Sequence, residues 1–356
     1  MDNNIEGSSN LSSSSSDDDN YAESFSARQK LIAKVISTNN QIVLNYLNEG
    51  SNKSRHRGSI LGHKMINRNR EAADRNPFND YFAENALYND AMFRRRFRMG
   101  RNLFMRICDA VTNHDNYFIQ KRDGLGRLGL SSLQKITVAF QILAYGVPAD
   151  ATDEYIKIGE STAIESVKRF YRAVVEVFGG QYLRSPNAHD VARLLHIGEL
   201  RGFPSMLGSL DCMHWRWQNC PTAWARQYSG RSGKLTIILE AIADYDLWIW
   251  HAYFGLPGSN NDINVLESSH LFANLAAGII IPAHYVIQGK EYNMGYYLAD
   301  GIYPKWSTLV QTIHAPQGRK NKLFAMKQEA CRKDVERAFG VLQSCFAIVI
   351  GPSRFW

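Results

Sequence analysis

The spacing of apolar residues changes near residue 205, and this change constrains the fold more than any other feature of the sequence. The preceding segment repeats its apolar residues every three or four positions, as helices do. Three apolar or alternating runs follow, which predict adjacent antiparallel strands at 205–217, 235–243 and 247–254. The later patterns predict a helix at 262–272, strands at 285–288 and 295–299, and a helix at 327–346. This order predicts an α/β domain with a mixed sheet over 201–356.

The segment before this domain is predicted to be helical over 93–200. Ser131 or Ser132 would cap a first helix that Gly146 and Pro148 end, and a short segment, 151–158, follows. The next helix would have Thr162 and Glu165 as a capping box. Its apolar stripe is predicted to contain Ile164, Val167, Tyr171, Val174 and Phe178. This arrangement favours a helix-turn-helix whose Lys168, Arg169 and Arg172 contact DNA, although an ordinary helical layer explains the pattern equally well.

Three further predictions concern the amino-terminal part. Residues 1–26 are rich in Ser and Asp and should form a disordered tail, because they offer little apolar surface to bury. Residues 27–92 are read as a basic, weakly structured linker. The folded part is expected to begin at Phe93, which starts a helical pattern with Phe97 and Phe104 buried and several arginines outside.

Charge and cysteine usage limit the function classes. The net charge is +7, but the first 26 residues hold six acids and no Lys or Arg, so the rest carries 41 basic and 28 acidic groups. This excess suits a phosphate backbone, and it would also suit a membrane surface or an acidic partner. The five cysteines include no Cys-x-x-Cys pair, which disfavours a disulfide framework and a zinc knuckle. Neither a secretory signal nor a membrane-spanning run is visible.

Three acids have the spacing and context of a metal site. Asp211 and Asp300 follow apolar, strand-like runs, and Glu336 lies on the last helical pattern. Two carboxylates on neighbouring strands and a third on a helix that faces them could meet at one edge of the sheet. Hard oxygen ligands of this kind suit Mg²⁺ or Mn²⁺, and a pair of such ions supports phosphodiester chemistry.

The sequences around these acids carry a family resemblance. They read Ser-Leu-Asp-Cys-Met-His-Trp at 209–215, Tyr-Leu-Ala-Asp-Gly-Ile-Tyr-Pro at 297–304 and Val-Glu-Arg-Ala-Phe-Gly at 335–340. Between them lie Asn-Cys-Pro-Thr-Ala-Trp at 219–224 and Leu-Pro-Gly-Ser-Asn-Asn-Asp-Ile-Asn-Val-Leu at 256–266. From about Phe93 to its last residue, the chain resembles PIF/Harbinger-type transposases of plants and the nucleases derived from them.

The resemblance implies an RNase H-like domain with a DDE triad, Asp211, Asp300 and Glu336, the last two separated by 35 residues. It implies a nuclear, metal-dependent DNA endonuclease and transposase, with the cytoplasm as a second compartment. The implied substrates are transposon terminal repeats and an AT-rich target. A Myb/SANT-like protein partner and a homo-oligomer are also expected, with no membrane association.

Two alternatives remain open. Since relatives continue beyond the helix of the third acid, the chain is expected to be truncated at its carboxy terminus and could be a domesticated, catalytically silent DNA-binding or adaptor protein. A metal-dependent hydrolase of small phosphoesters would explain the acids, but not the basic excess or the helical domain.

Other polar residues have predicted roles outside the triad. Asp262 is predicted to cap the helix after it rather than to bind metal, and His214 should face away from Asp211 in a structural role. Arg332 and Lys333 lie one turn before Glu336 and could pair with it. Two groups in predicted loops would grip phosphates or remain solvated: Arg226, Arg231 and Lys234, and Arg319, Lys320 and Lys322.

Overall fold

The computed structural model describes residues 68–271, 273, 282–287 and 289–353. The predicted tail, 1–26, and most of the predicted linker, 27–92, lie outside the described residues. Within the described part, no helix combines the length and apolar character needed to cross a bilayer. The described residues belong to one unit of the chain, Ile66–Trp356.

The amino-terminal half of the described chain is helical. Its helices are α1 (Arg70–Tyr81), α2 (Asp90–Phe97), α3 (Arg101–His114), α4 (Ser132–Tyr145), α5 (Glu160–Tyr182) and α6 (Ala188–Leu200), with a 3₁₀ turn at Ala149–Asp153. Phe93, Phe97 and Phe104 are buried in an aromatic core, as the sequence predicts. Tyr81 of α1 lies in the same core, with its ring 5.3 Å from that of Phe97. Ordered helical structure therefore begins before Phe93, and the predicted linker boundary at residue 92 is too late.

The ends of α4 confirm the local rules, whereas the start of α5 does not. Ser131 caps α4 in a capping box with Gln134, and Gly146 ends it in the left-handed conformation. Helix α5 starts at Glu160 after Gly159, so the predicted capping box of Thr162 and Glu165 is wrong.

The buried stripe of α5 is shifted from the predicted one. It consists of Ala163, Ser166, Phe170 and Ala173, whereas Ile164 and Tyr171 are 41% and 48% exposed. Small residues allow α5 to approach α4 closely, and the Phe170 ring packs 5.0 Å from that of Phe140. A pattern that scores only large apolar residues misses such a face.

The second half of the described chain contains a five-stranded mixed sheet. Its strands are β1 (Met206–Arg216), β2 (Thr236–Ala243), β3 (Ile249–Pro257), β6 (Tyr296–Leu298) and β7 (Leu309–Val310), in the order β3-β2-β1-β6-β7. The first three strands are antiparallel, whereas β6 and β7 run parallel to β1. This confirms the predicted α/β class with a mixed sheet.

Two further helices and a hairpin belong to the connections. A short helix, α7 (Ala225–Tyr228), lies between β1 and β2, and α8 (Asp262–Ser268) follows β3. Residues 285–287 of the strand predicted at 285–288 belong to β4 (Pro282–Ile287), which pairs with β5 (Lys290–Met294) in a separate hairpin. It therefore does not add to the main sheet.

The predicted final helix is two helices, α9 (Gly318–Arg332) and α10 (Asp334–Cys345), separated at Lys333. The first residue of α10, Asp334, is only 1% exposed and accepts hydrogen bonds from Arg201 and Arg337. Because this carboxylate turns inward to meet Arg201 at the end of α6, α10 begins anew rather than continuing α9.

Both faces of β1 are covered. Met213 lies in an apolar cluster with Val335, Ala338 and Phe339 of α10. On the other face, Leu210 packs in a cluster with Leu266 of α8. Since side chains alternate along a strand, successive residues of β1 point to two different helical layers.

Replacement of Asp334 by alanine should strongly destabilise the protein. The change leaves Arg201, which is 21% exposed, without its buried partner, and loss of one member of a buried pair typically costs about 3–5 kcal/mol. Asp246→Ala is the matched control, because this acid is 54% exposed in its pair with Arg193 and should cost about 0–1 kcal/mol. Urea unfolding of both variants measures the difference. Equal losses would show that the Asp334 pair does not hold α10.

Candidate active site

The pairing of β1 with β6 brings two of the predicted acids to one edge of the sheet. Ser209 is the register partner of Leu298 in this parallel pair. Asp211 and Asp300 each follow two residues later, where the pairing between the two strands has ended. Strand β1 itself continues to Arg216, paired only with β2, so Asp211 lies within the strand rather than at its end.

Glu336 approaches the same region because the start of α10 is tied to β1. The backbone N–H of Val335 donates to Ser209 Oγ at 2.9 Å, in a buried hydrogen bond. Ser209 and Asp211 are two residues apart in a strand, so their side chains point to the same face of β1. The first turn of α10 therefore lies over the face that carries Asp211. Glu336 is in this turn, and its side chain is 42% exposed.

The groups around Asp211 shift the pKa of its carboxyl group. Burial raises the pKa of its carboxyl group to about 6, and the negative charges of Asp262 and Glu336 act in the same direction. A hydrogen bond from the backbone N–H of Cys212, at 2.8 Å, and the positive charge of Arg332 act against the rise. Asp211 is thus a partly buried carboxylate among other acids, an arrangement that a cation would stabilise.

Arg332 is the cation that the chain itself supplies. Its side chain is only 17% exposed, and it donates to Glu336 Oε1 at 2.9 Å and to Glu329 Oε2 at 3.0 Å. Although burial opposes it, the charges of Glu329, Glu336 and Asp300 raise the pKa of this guanidinium. The predicted pairing of Arg332 with Glu336 is confirmed.

Asp262 is the acid whose position sequence reasoning misjudged. The cap of α8 is Asn261, whose Oδ1 accepts from the N–H of Asn264 at 2.8 Å, so the prediction that Asp262 caps this helix is wrong. Asp262 is instead the first helical residue. Burial raises the pKa of its carboxyl group; contact with Cys212 and the charge of His214 oppose the rise, and the charges of Asp300 and Glu240 add to it. The run Asn-Asn-Asp offers three possible caps for α8, so the sequence does not show which of the three residues caps the helix.

The opposite face of β1 carries a polar layer. His214 Nδ1 lies 2.9 Å from Thr236 Oγ1, and strand alternation sets it away from Asp211, as expected. Glu240 is fully buried, with Oε1 3.0 Å from His251 Nε2 and no partner for Oε2 among the described residues. Cys212 Sγ lies 3.6 Å from the hydroxyl of Tyr303 and so connects two of the sequence motifs. Sequence reasoning did not identify Glu240 or Tyr303.

The acids share electrostatic contact without forming a set of metal ligands. In the part of the chain that the structure describes, no three His, Cys, Asp or Glu side chains are placed to hold a metal ion. Asp300 Oδ1 accepts from the N–H of Gly301, and Glu336 Oε1 accepts from Arg332. Both carboxylates belong to exposed residues, so their side chains have room to reorient.

The three predicted DNA-contacting residues of α5 differ in whether their charges are already paired within the protein. Lys168 and Arg172 are exposed on α5. Arg169 is held by Glu165 at 2.7 Å and Asp115 at 3.2 Å, with its guanidinium 4.9 Å from the centre of the Tyr117 ring. Its charge is therefore already paired within the protein, so it is a weaker candidate for a phosphate contact.

The other six predicted contacts are all exposed, but not all lie in loops. Arg226 is in the short helix α7, and Arg231 and Lys234 are in the connection that follows it. Arg319, Lys320 and Lys322 belong to the first turns of α9, so their assignment to a loop is wrong. Their contact with DNA stays a prediction.

Asp211→Asn should raise the stability of the protein in EDTA at pH 8. The folded-state pKa of about 6 lies above the ordinary 3.8, so ionisation of this carboxyl group lowers the stability of the protein as pH rises from about 4 to 6. Above that range the loss is complete and stays constant. Asparagine carries no charge and keeps an oxygen for the Cys212 N–H.

Thermal melts at several pH values measure this effect. The melting temperature of the variant should exceed that of wild type at pH 8, and the gap should shrink towards pH 4. Asp246→Asn, an exposed control, should give no such gain. A variant that melts below wild type at pH 8 would mean that the Asp211 charge is stabilised by its surroundings.

Comparison with known protein families identifies two matching regions of the chain. Residues 180–356 match the model of the plant transposon protein family, a span that includes the whole sheet and the acids Asp211, Asp262, Asp300 and Glu336. Residues 74–112 match a domain of unknown function, which crosses the boundary predicted at residue 92. No curated protein and no solved structure matches the chain. Through its carboxy-terminal half the chain belongs to the plant transposon protein family, which confirms the resemblance to Harbinger-type transposases.

Proposed function

We propose that this protein is a Harbinger-type DDE transposase or nuclease, which hydrolyses phosphodiester bonds of DNA and transfers strands with the help of divalent metal. The observation that carries the proposal is the environment of Asp211. It is a partly buried acid with a raised pKa, in electrostatic contact with Glu336 and Asp262, in a chain of the plant transposon family. A purely structural role would not require several acids to face one another.

The fold supports this reading. The strand order β3-β2-β1-β6-β7, with the last two strands parallel to β1, agrees with the RNase H-like sheet that the resemblance implies. Asp211 and Asp300 follow neighbouring parallel strands, and Glu336 lies in the first turn of the helix over them. These are the elements on which the resemblance assigns the DDE triad.

The donor chemistry fits Mg²⁺ or Mn²⁺. Asp211, Asp300 and Glu336 would hold the metal, since carboxylate oxygens are hard ligands and the charges of Asp262 and Glu336 already favour a cation at Asp211. When bound, the metal supplies Lewis-acid stabilisation of the phosphodiester and a more acidic water. The side chains of Asp300 and Glu336, at exposed positions, must turn to become ligands.

The residues of the chain have separable tasks in this site. Asp211 is held by the Cys212 N–H on a strand buried between two layers, so it gives the site a fixed point. Arg332 reduces the net negative charge that an approaching DNA phosphate would meet. The basic side chains of α5, α7 and α9 would contact the phosphate backbone on either side.

The remaining parts of the proposal rest on the family resemblance. They are a nuclear location, substrates consisting of terminal repeats and an AT-rich target, a Myb/SANT-like partner and assembly into a homo-oligomer. The helix-turn-helix reading of α4 and α5 also belongs here, since the structure describes the two helices without DNA.

One observation favours the alternative, a catalytically silent DNA-binding or adaptor protein. Among the described residues the acids do not form a ligand set, and Arg332 occupies an oxygen of Glu336. A protein that retained the fold but lost the reaction would keep its basic surfaces and its charge pair. The experiment below separates the two functions.

Wild-type protein with its partner should nick terminal-repeat DNA in Mg²⁺ or Mn²⁺. Asp211→Asn or Asp300→Asn should abolish nicking and leave DNA binding intact, because each removes a ligand charge but no basic residue. Mn²⁺ binding, measured by calorimetry, should be lost in parallel. Ca²⁺ should permit binding with little cleavage, since its coordination is looser.

Asp246→Asn serves as the control and should nick like wild type. Equal nicking by wild type and Asp211→Asn would reveal a contaminating nuclease. Absence of nicking and of Mn²⁺ binding in wild type, while a relative cuts the same DNA, would favour the silent protein.

The basic face of α5 gives a further prediction. Lys168→Gln with Arg172→Gln should weaken duplex binding irrespective of sequence and reduce the slope of log affinity against log salt by about two. Arg169→Gln removes a charge of the same sign that Glu165 and Asp115 already hold, and should change the slope less. An unchanged slope in the double variant, measured by fluorescence anisotropy, would assign DNA recognition to other surfaces.

A further inference from the structure

The connection between β1 and β2 has an unusual charge. Residues 212–239, which include all of it, contain no Asp or Glu. The same stretch contains four cations, Arg216, Arg226, Arg231 and Lys234. All four are exposed, and the last three make no ion pair with any residue that the structure describes. This surface therefore presents positive charge that no described residue neutralises through an ion pair.

The same connection carries three aromatic residues, Trp217, Trp224 and Tyr228. The ring of Trp224 lies 6.0 Å from that of Trp217 and 6.4 Å from that of Tyr228, nearly parallel to the latter at 28°. Trp217 is buried, whereas Trp224 is 48% exposed. Two other rings thus lie beside the Trp224 indole, while much of its surface is open to solvent.

The connection is held in place by the rest of the fold. The N–H of Trp217 donates to Leu235 O at 2.8 Å, and the N–H of Gln218 donates to Ser353 O at 2.8 Å. Gly258 packs so closely that a Cβ there would lie 2.9 Å from Tyr228 O. This glycine comes four residues before Asp262, so the connection is anchored beside the start of α8. A supported ring loses little conformational freedom when it binds a partner.

We propose that residues 217–235 form a base-stacking platform, on which Trp224 binds an unpaired DNA base and Arg226, Arg231 and Lys234 contact the neighbouring phosphates. The proposal rests on the proposed function, because that function supplies DNA as the partner. Base faces stack on aromatic rings irrespective of sequence, and cations follow the backbone of a single strand. A paired base offers no free face to a protruding indole, so the base must be unpaired.

The platform lies away from the reacting phosphodiester. Trp217, the first residue after β1, comes six residues after Asp211, a separation of about 20 Å in an extended chain. The bound base would therefore belong to DNA that flanks the cleavage point, at a frayed end or a displaced strand. Trp224 would accordingly be a substrate-binding residue, which contacts the DNA at a distance from the reaction.

Binding of the full chain to fluorescent oligothymidylate, compared with a duplex of the same length, tests the platform. Trp224→Ala should weaken single-strand binding about 5- to 100-fold, the loss expected for one stacked base. Its effect on the duplex should be below about twofold, and Trp224→Phe should retain most of the affinity because it keeps a ring. Phe254→Ala is the matched control, since this aromatic is 51% exposed on β3, outside the platform, and should change neither affinity.

A second measurement does not depend on a foldable alanine variant. Single-stranded DNA should quench the tryptophan fluorescence of wild type more than that of Trp224→Phe. Unchanged single-strand affinity in Trp224→Ala, equal losses on both DNAs, or equal quenching would overturn the proposal. A change in oligomeric state without a change in DNA binding would also overturn it, because the surface would then contact a second copy of the chain.

These outcomes are separable from those of the proposed function. If stacking depends on Trp224 while Asp211-dependent nicking and Mn²⁺ binding are absent, the platform stands and the enzymatic proposal falls. If nicking depends on Asp211 while Trp224→Ala binds single strands like wild type, only the platform falls.

Discussion

A buried carboxylate at the start of α10 organises the carboxy-terminal half of the molecule. Asp334 is almost fully buried and binds Arg201, at the end of α6, and Arg337, one turn further along α10. The guanidinium of Arg201 also lies 4.8 Å from the centre of the Tyr245 ring, in the turn between β2 and β3. Three elements that are distant in sequence meet at this charge. Because an unpaired buried charge is costly, the break between α9 and α10 is fixed by this contact.

This contact also sets the geometry of the candidate site. The residue after Asp334 donates its backbone N–H to Ser209 on β1, and the next residue is Glu336. The same short segment thus closes the core and delivers an acid to the face that carries Asp211. This arrangement destabilises the charged form of Asp211, since burial and neighbouring acids raise the pKa of its carboxyl group. Arg332 offsets part of this repulsion, and a metal ion would offset more.

Local signals in the sequence predicted much of the fold. The alternation of apolar residues located β1, β2 and β3 to within a few positions. Strand β1 pairs with β2 in an uninterrupted register, and a short turn joins β2 to its partner β3. The capping box at Ser131 and the left-handed Gly146 also follow from residues close to each other in the chain. Signals of this kind need no knowledge of distant partners.

Several of the failures share a cause, which is contact between residues far apart in sequence. The stripe of α5 is wrong because Ala163 and Ala173 become core residues only where α5 meets another helix. The single predicted final helix is wrong because Arg201 draws Asp334 inward. The acidic environment of Asp262 is not predictable from a local window, because the neighbours that create it lie on β1 and near β6.

The sequence by itself determined the class of the domain, the family and the identity of the acids, since these depend on periodicity and on motifs of a few adjacent residues. Only the tertiary structure decided how those acids interact. It shows Asp211 in the field of Glu336 and Asp262, Arg332 bonded to Glu336, and Trp224 exposed beside the rings of Trp217 and Tyr228. Electrostatic and stacking interactions act through space over a few ångströms, and the chain brings such groups together only by folding.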